Sequence, residues 1–361
     1  MRSLVIAGGG TGGHLFPGLA VAAELERSGA RVSWLGARRG MEARRVPEAG
    51  IPIRLLSVSG AVARSRAAQA AAVLQLVPAV FQAASFLLRS GASAVLPVGG
   101  YAALPGALAA GALGLPVVLQ EQNSVPGLVT RFLAPWSVAV ACGFEASLAA
   151  FPSLPARFTG NPVRPEFFAV PAPALQPLTV LVLGGSQGSA FLNAAAPEAF
   201  ARLARSGVRP RIVHQAGQRW SAGVERRYAE LSVAATVVPF IEAPAAALAD
   251  AALVVARAGA LTVTELAAAR RAALLIPFAA SAHDHQLANA GAYAATGAAE
   301  VLEERDADPD AIAGVLARIL GDPQRLVERG RAGAPLARPD AARAVADLLV
   351  RAAGDATGGG R

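Results

Sequence analysis

The 361-residue chain contains no lysine; all 33 of its basic residues are arginine. Every mechanism that needs an amine side chain is thereby excluded, including a Walker-type phosphate lysine and a Schiff base. The single cysteine, Cys142, allows neither an intrachain disulfide nor a cysteine cluster for zinc, which fits a reducing compartment. It reads as a small buried strand residue. Aromatic residues make up 5% of the chain and the arginines form no extended run, which argues against nucleic acid as a partner. The opening apolar stretch LVIAGGG is too short for a signal-peptide core, so no secretion signal is expected.

Apolar residues are abundant. Hydrophobic residues excluding glycine are 54% of the chain, more than the roughly 45–50% that they and glycine reach together in ordinary soluble domains. Disorder is excluded for the bulk, and at about 150 residues per domain the length implies two domains. The net charge of +8 is uneven: residues 1–163 hold 13 arginines against 6 acids, and the remainder 20 against 19. A basic excess confined to the first half implies a surface facing phosphate-rich material, and with nucleic acid disfavoured this points to anionic lipid headgroups.

An uncharged run of 22 residues, 67–88, reaches the length at which a membrane span must be considered. Gln75, Gln82 and Ser85 share one narrow helical sector, Pro78 interrupts the run, and Arg64, Arg66 and Arg89 flank it. Three readings stay open: a span, a core helix, and a helix whose apolar face touches a membrane surface.

Short Val/Leu/Ile runs alternate with Ala-rich helical patterns, the signature of βαβ units and parallel sheets. Strands are expected at 4–7, 32–35, 53–56, 94–98, 117–120 and 138–142, and after a proline-rich linker (Pro155 to Pro177) at 179–183, 211–215, 236–238, 253–256 and 273–276. Each half opens with strand, glycine-rich loop and helix. The expected fold class is α/β, with two doubly wound, Rossmann-like parallel-sheet domains facing each other across a cleft. The expected division is an N-terminal domain over 1–163, with a final helix at about 339–353 returning to it, a C-terminal domain over 164–338, and a disordered tail, 354–361.

The first loop, AGGGTGGH (7–14), sits where backbone N–H groups and a helix dipole accept an anion. It contains G-x-G-x-x-G at Gly8, Gly10 and Gly13, but a dinucleotide site also needs an acid at the end of the second strand, which here ends Ser33-Trp34-Leu35-Gly36. No dinucleotide cofactor is expected. The second loop, LGGSQGSAFLN (183–193), adds the hydroxyl of Ser186. In ARAGALTVTEL (256–266), Gly259 permits a tight turn, the amides of Ala260, Leu261 and Thr262 are placed for a diphosphate, and Glu265, one turn on, for the two hydroxyls of a ribose. The other reading of Glu265 is an acid compensating the helix dipole. Asp306–Asp310 reads as a helix N-cap with proline in the first turn rather than a metal site. His283-Asp284-His285 has no further ligands nearby, so no metal or other cofactor is expected.

The ordered set GGTGGH, EQN (121–123), GNPVR (160–164), GGSQG (184–188), GALTVTE (259–265) and HQLANA (285–290) resembles the undecaprenyldiphospho-muramoylpentapeptide β-N-acetylglucosaminyltransferases of peptidoglycan synthesis, from the first strand to the last helix. The resemblance implies the GT-B fold and a peripheral enzyme on the cytoplasmic face of the bacterial membrane. It also implies inverting transfer of N-acetylglucosamine from UDP-N-acetylglucosamine to the 4-hydroxyl of the muramoyl sugar of lipid I. Carried over by position, Thr11, Gly12 and Gly13 lie against donor sugar and acceptor diphosphate. Asn123 bonds the transferred sugar, and Arg164 and Ser186 the donor diphosphate. Ile241 meets the uracil through its backbone; Ala260, Leu261, Thr262, Val263 and Thr264 line the nucleotide; Glu265 holds its ribose; Gln286 reads the sugar hydroxyls. His14 is the candidate base, with shaping of its own loop as the competing role. The chain departs from the family pattern at Gln120, where histidine is usual, at Arg270, Arg271 and Ala272 in place of a glycine-containing turn, at Ala280 and His283, and at Pro97 and Ala103.

Overall fold

The computed structural model describes residues 2–58, 66–100, 102–185, 187–281 and 284–358, the side chains of 66–74 and 356–358 excepted. Arg64, Ser186 and His283, singled out above, lie outside the described residues. The chain divides into two units, residues 1–164 with 338–361, and residues 165–337.

In the first unit β1 (Ser3–Ala7) pairs in parallel with β2 (Arg31–Ala37) and β4 (Ala92–Pro97), and β3 (Ile53–Leu56) lies outside β2. A second parallel set, β5 (Val118–Glu121), β6 (Ala139–Cys142) and β7 (Ala156–Phe158), continues this sheet through a bridge between Val95 and Val117. The spatial order is 3-2-1-4-5-6-7. β1 is buried along its length, as a strand covered on both faces must be. One face carries α1 (Gly12–Arg27) and the closing helix α13 (Ala341–Gly358), whose Val345 and Leu349 meet Leu15 and Val21 of α1 in one core. The other face carries α3 (Arg66–Ser90), which follows α2 (Glu42–Glu48), and α4 (Ala103–Ala112). α5 (Leu128–Leu133) follows β5.

The second unit is a six-stranded parallel sheet: β8 (Thr179–Leu183), β9 (Arg211–Gln215), β10 (Thr236–Val238), β11 (Leu253–Ala256), β12 (Ala272–Leu275) and β13 (Ala299–Val301), in the order 10-9-8-11-12-13. This is the doubly wound order, which reverses direction beside β8 and β11, where such sheets bind ligands. α6 (Ala190–Arg205) follows β8, α7 (Ser221–Glu230) β9, α8 (Pro244–Asp250) β10, and α9 (Ala260–Ala268) β11; α10 (His285–Ala294) follows β12, and α11 (Pro309–Leu320) and α12 (Pro323–Ala332) come after β13.

Every strand expected from the sequence is present; β7 and β13, three residues each, are additional. The linker reading changes from Pro165 onward. Phe167 and Val170 are buried, and Arg270 and Arg271 donate to the carbonyls of Val170 and Pro171, so this stretch is docked onto the second unit. The last helix also runs further than expected: residues 354–358, read as tail, are helical. Among the described residues no helix is long and apolar enough to cross a membrane. α3 buries Ala79, Ala83 and Leu87, a stripe at i, i+4 and i+8, and exposes Val77, Phe81 and Leu88. It is a core helix with an apolar outer face.

Candidate functional site

In the first unit the chain leaves β1 through three glycines with φ of 147°, 142° and 92° at Gly8, Gly9 and Gly10, values open to residues without a Cβ. Their N–H groups are spent internally, on Leu35 O (3.0 Å), Gly99 O (3.2 Å) and the Glu42 carboxylate (2.7 Å). Glu42 is fully buried and also accepts from the Ala37 N–H at 2.9 Å. A Cβ on Gly9, Gly36 or Gly40 would run into its side chain. An internal carboxylate thus fixes the loop's shape and takes part of the anion site that the sequence assigned to it. What continues toward solvent is the start of α1: Thr11, the exposed N-cap, with the half-buried Gly12 and Gly13.

His14, in the first turn of α1, is half-buried, and its Nδ1 is enclosed with no hydrogen-bond partner among the described residues. Gly99 packs so closely that a Cβ there would meet the imidazole. Burial holds the His14 pKa below its ordinary value, against opposing contributions from Glu121, Gln122, Val98 and Glu42. The imidazole is therefore neutral near pH 7 and able to accept a proton.

Glu121 closes β5. Its buried carboxylate accepts from the Asn123 N–H (2.9 Å), the Asn123 side-chain amide (3.1 Å) and the Gly127 N–H (3.0 Å). The loop after β5, and with it Asn123, takes its form from this one acid. Gln122 donates to Val98 O at 2.8 Å and to Gln120 Oε1 at 3.1 Å, so Gln120, one of the departures, has a place in this lattice. Arg164 lies in the first unit, its guanidinium 5.0 Å from the ring centroid of Phe16 on α1.

In the second unit the loop after β8 brings Gly188 (φ 75°) against the Ala216 carbonyl, where a Cβ would collide. The Asn193 side-chain nitrogen donates to that carbonyl at 2.9 Å. Its Oδ1 must then accept from His214 Nε2 at 3.1 Å, which leaves His214 Nδ1 to accept from the Tyr228 hydroxyl at 3.0 Å. Burial lowers His214 to about 4 and pushes the Tyr228 phenol up.

Beyond β11, Gly259 is the N-cap of α9, with no side-chain cap. The first intrahelical bond runs from Val263 N to Gly259 O, so the amides of Ala260, Leu261 and Thr262 precede it and face outward along the helix dipole. Val263 and Thr264 are turned inward, and the Thr264 hydroxyl donates to Ala260 O. Ile241, Thr262 and Glu265 line one crevice of about 20 Å³ with Leu181 and Leu183, room for about one water. Three residues expected at uracil, nucleotide and ribose are thus adjacent. Gln286 accepts from the Phe278 N–H at 3.0 Å, which leaves its amide nitrogen to donate.

Arg257, in the turn between β11 and α9, was given no role by the sequence. It donates to Ser189 Oγ (3.0 Å), Ile276 O (3.1 Å), Pro277 O (3.2 Å) and Glu304 (2.8 Å), and lies near the rings of Phe191 and Phe278. Ser189 caps α6 by accepting from Leu192 N. One cation thereby links the start of α6, the end of β12 and the loop that carries Phe278. Glu42 and His214 were likewise missed, and Glu121 stood in the EQN motif without a role of its own. Asp308 caps α11, accepting from Ala311 N at 2.8 Å with Pro309 next, as its sequence reads.

Two parallel-sheet units, each with a glycine loop and a helix N-terminus at its switch point, place the chain among two-domain α/β proteins of the architecture that many glycosyltransferases share. The chain belongs to glycosyltransferase family 28: residues 4–142 match that family's N-terminal domain and residues 179–345 its C-terminal domain. It is 43% identical, over 99% of its length and 84% of the relative's, to the UDP-N-acetylglucosamine--N-acetylmuramyl-(pentapeptide) pyrophosphoryl-undecaprenol N-acetylglucosamine transferase of Xanthomonas axonopodis pv. citri. It is 42% identical to the enzyme of the same name from Xylella fastidiosa, over 97% of both chains. The crystal structure of Acinetobacter baumannii MurG superposes with a TM-score of 0.79 at 34% identity, covering 97% of this chain and 100% of that one.

Proposed function

We propose that this protein transfers N-acetylglucosamine from UDP-N-acetylglucosamine to the 4-hydroxyl of the muramoyl sugar of lipid I, giving lipid II. The observation that carries this reading is near-full-length similarity, at 42–43% identity, to transferases named for that donor and acceptor. In the second unit, the amides of Ala260, Leu261 and Thr262 take the donor's diphosphate, Glu265 its ribose and Ile241 its uracil; the crevice shared by Ile241, Thr262 and Glu265 supports this assignment. Val263 and Thr264, buried, back this helix start from the core side. Ser186 adds its hydroxyl to the diphosphate, and Gln286 donates to the sugar.

In the first unit, Thr11, Gly12 and Gly13 meet the donor sugar and acceptor diphosphate, Asn123 bonds the transferred sugar, and Arg164 supplies positive charge to a diphosphate. His14 removes the proton of the attacking hydroxyl. With Nδ1 enclosed, Nε2 is the nitrogen that takes it. The hydroxyl oxygen bonds to the anomeric carbon as the bond from that carbon to the diphosphate breaks on the opposite face, and UDP leaves carrying the electron pair. Charge on UDP is met by helix dipole and main-chain N–H groups, which act without reorganising. The protein works peripherally on the cytoplasmic face of the bacterial membrane, with residues 1–163 and the returning helix toward the acceptor; the basic first half and the exposed face of α3 support this. UDP release from UDP-N-acetylglucosamine, measured with and without a muramoyl lipid diphosphate, tests the reaction. Release that ignores the acceptor refutes it.

A further inference from the structure

Past β12 and the buried Pro277, the chain leaves the second unit's sheet with Phe278 and Ala279 exposed. Their N–H groups go to side chains. Phe278 N–H donates to Gln286 Oε1 at 3.0 Å, and Ala279 N–H to Glu304 Oε2 at 3.2 Å. The same Glu304 oxygen accepts from Arg257 Nη1 at 2.8 Å, and that nitrogen also donates to the carbonyls of Ile276 (3.1 Å) and Pro277 (3.2 Å). The Phe278 ring lies 5.5 Å from the Arg257 guanidinium carbon. One ion pair therefore grips consecutive residues of a turn that the sheet has released. Its side chains are 12% and 22% exposed, so it is less screened than a surface pair. Glu304 is the inward acid of the turn after β13; its neighbour Glu303 pairs with the exposed Arg305 at 3.1 Å.

The grip has a consequence for Gln286, in the first turn of α10. A main-chain N–H can only donate, so the Gln286 amide must turn its oxygen to Phe278 and its nitrogen away; the opposite flip would set donor against donor. The direction in which the Gln286 N–H groups are offered is thus set by where Phe278 N–H is held, and a site is selective only to the extent that such supporting bonds fix its contact groups. We propose that Glu304 is a positioning residue for selection of the donor sugar: by holding Arg257 and Ala279 N–H it keeps Phe278 N–H on Gln286, and so fixes which sugar hydroxyls the amide meets. The proposal rests on the assignment of Gln286 to the sugar and adds the residue that sets its geometry.

Calorimetry on the full chain, with UDP, UDP-N-acetylglucosamine and UDP-N-acetylgalactosamine, tests it. The two nucleotide sugars differ in the direction of one hydroxyl, and UDP lacks the sugar. Glu304→Ala removes the grip but leaves Arg257 with Ser189 Oγ and the carbonyls of Ile276 and Pro277 as acceptors, so no guanidinium is stranded. Glu304→Gln keeps an oxygen for both donors. In Glu304→Ala the preference for UDP-N-acetylglucosamine over its epimer should fall by roughly 5–10-fold, the worth of one misplaced hydrogen bond. Affinity for UDP should stay unchanged, and Glu304→Gln should retain the preference. Equal weakening of all three ligands in Glu304→Ala would reduce Glu304 to general support of the fold and overturn the proposal. Loss of the preference in Glu304→Gln would overturn it too, since charge rather than the grip would then be at work. A preference lost in Gln286→Ala but intact in Glu304→Ala would refute the role of Glu304 and leave that of Gln286 standing; a preference intact in both would remove both.

Discussion

Burial gives His14 both an enclosed Nδ1 and a pKa held below the ordinary histidine value. The sign matters: the reaction uses the neutral ring, and the fold keeps it neutral to lower pH. The acid limb of kcat/KM should therefore fall below pH 6.5, and His14→Ala should lose about 10²–10⁴-fold in kcat together with that limb. A pH–rate profile of the variant with near-normal turnover would return His14 to a loop-shaping role. Glu265 makes a different claim, on binding alone. Hydrogen bonds to a charged acceptor contribute about 1.5–3 kcal/mol, so Glu265→Ala should weaken UDP-N-acetylglucosamine binding by roughly 10–100-fold in calorimetry; unchanged affinity would leave only the helix-dipole role. Because amides and arginine supply the positive potential in this reading, turnover should survive chelation by EDTA. Loss that a divalent ion restores would contradict it.

The glycine loops depend on buried polar partners reached from distant parts of the chain, and here the sequence was only partly legible. Strands were readable because both-face burial leaves unbroken apolar runs, and the helix start at Gly259 because a strand, a glycine and a helical pattern are contiguous. The role of Glu42 was not readable: Gly10 and its carboxylate are 32 residues apart, and only the fold brings them together. β7 and β13 are too short to show a period. The departure at Arg270 and Arg271 now has a physical account. Arg270 adopts φ 54°, the left-handed conformation that glycine takes most readily, and its side chain and that of the fully buried Arg271 tie down the segment after Pro165. Arg271 is held by main-chain carbonyls, including Leu248 O at 2.6 Å, and burial lowers it to about 10. The Asn193–His214–Tyr228 chain yields a prediction of its own. His214 is neutral in the fold, lowered from 6.5 to about 4, so its contribution is complete above pH 6.5 and is lost as pH falls toward about 4. The loss amounts to about 3 kcal/mol in all. Thermal melts should show the acid-induced loss in the wild type and a flatter pH dependence in His214→Gln; identical slopes would rule the residue out as the titrating group.

The two units share one topology but not one charge. The first, residues 1–164 with 338–361, carries 18 arginines against 9 acids, whereas the second, residues 165–337, carries 15 against 16, so attraction to an anionic surface falls on the unit that also exposes Val77, Phe81, Leu88, Phe132 and Trp136. The two forces act over different ranges. Headgroup attraction to an exposed arginine is about 1 kcal/mol each and fades within a Debye length, which shrinks from about 10 Å at 0.1 M salt to about 3 Å at 1 M. Apolar insertion is indifferent to such screening. Flotation with phosphatidylglycerol vesicles should therefore be strong at low ionic strength and fall steeply toward 1 M, leaving a residue set by the apolar face. Phe81→Ser should remove part of that residue while leaving the salt dependence in place, because it deletes exposed apolar area and no charge. Binding that is equal on zwitterionic vesicles, or flat with salt, would mean that the arginine excess plays no part in bringing the enzyme to its lipid acceptor.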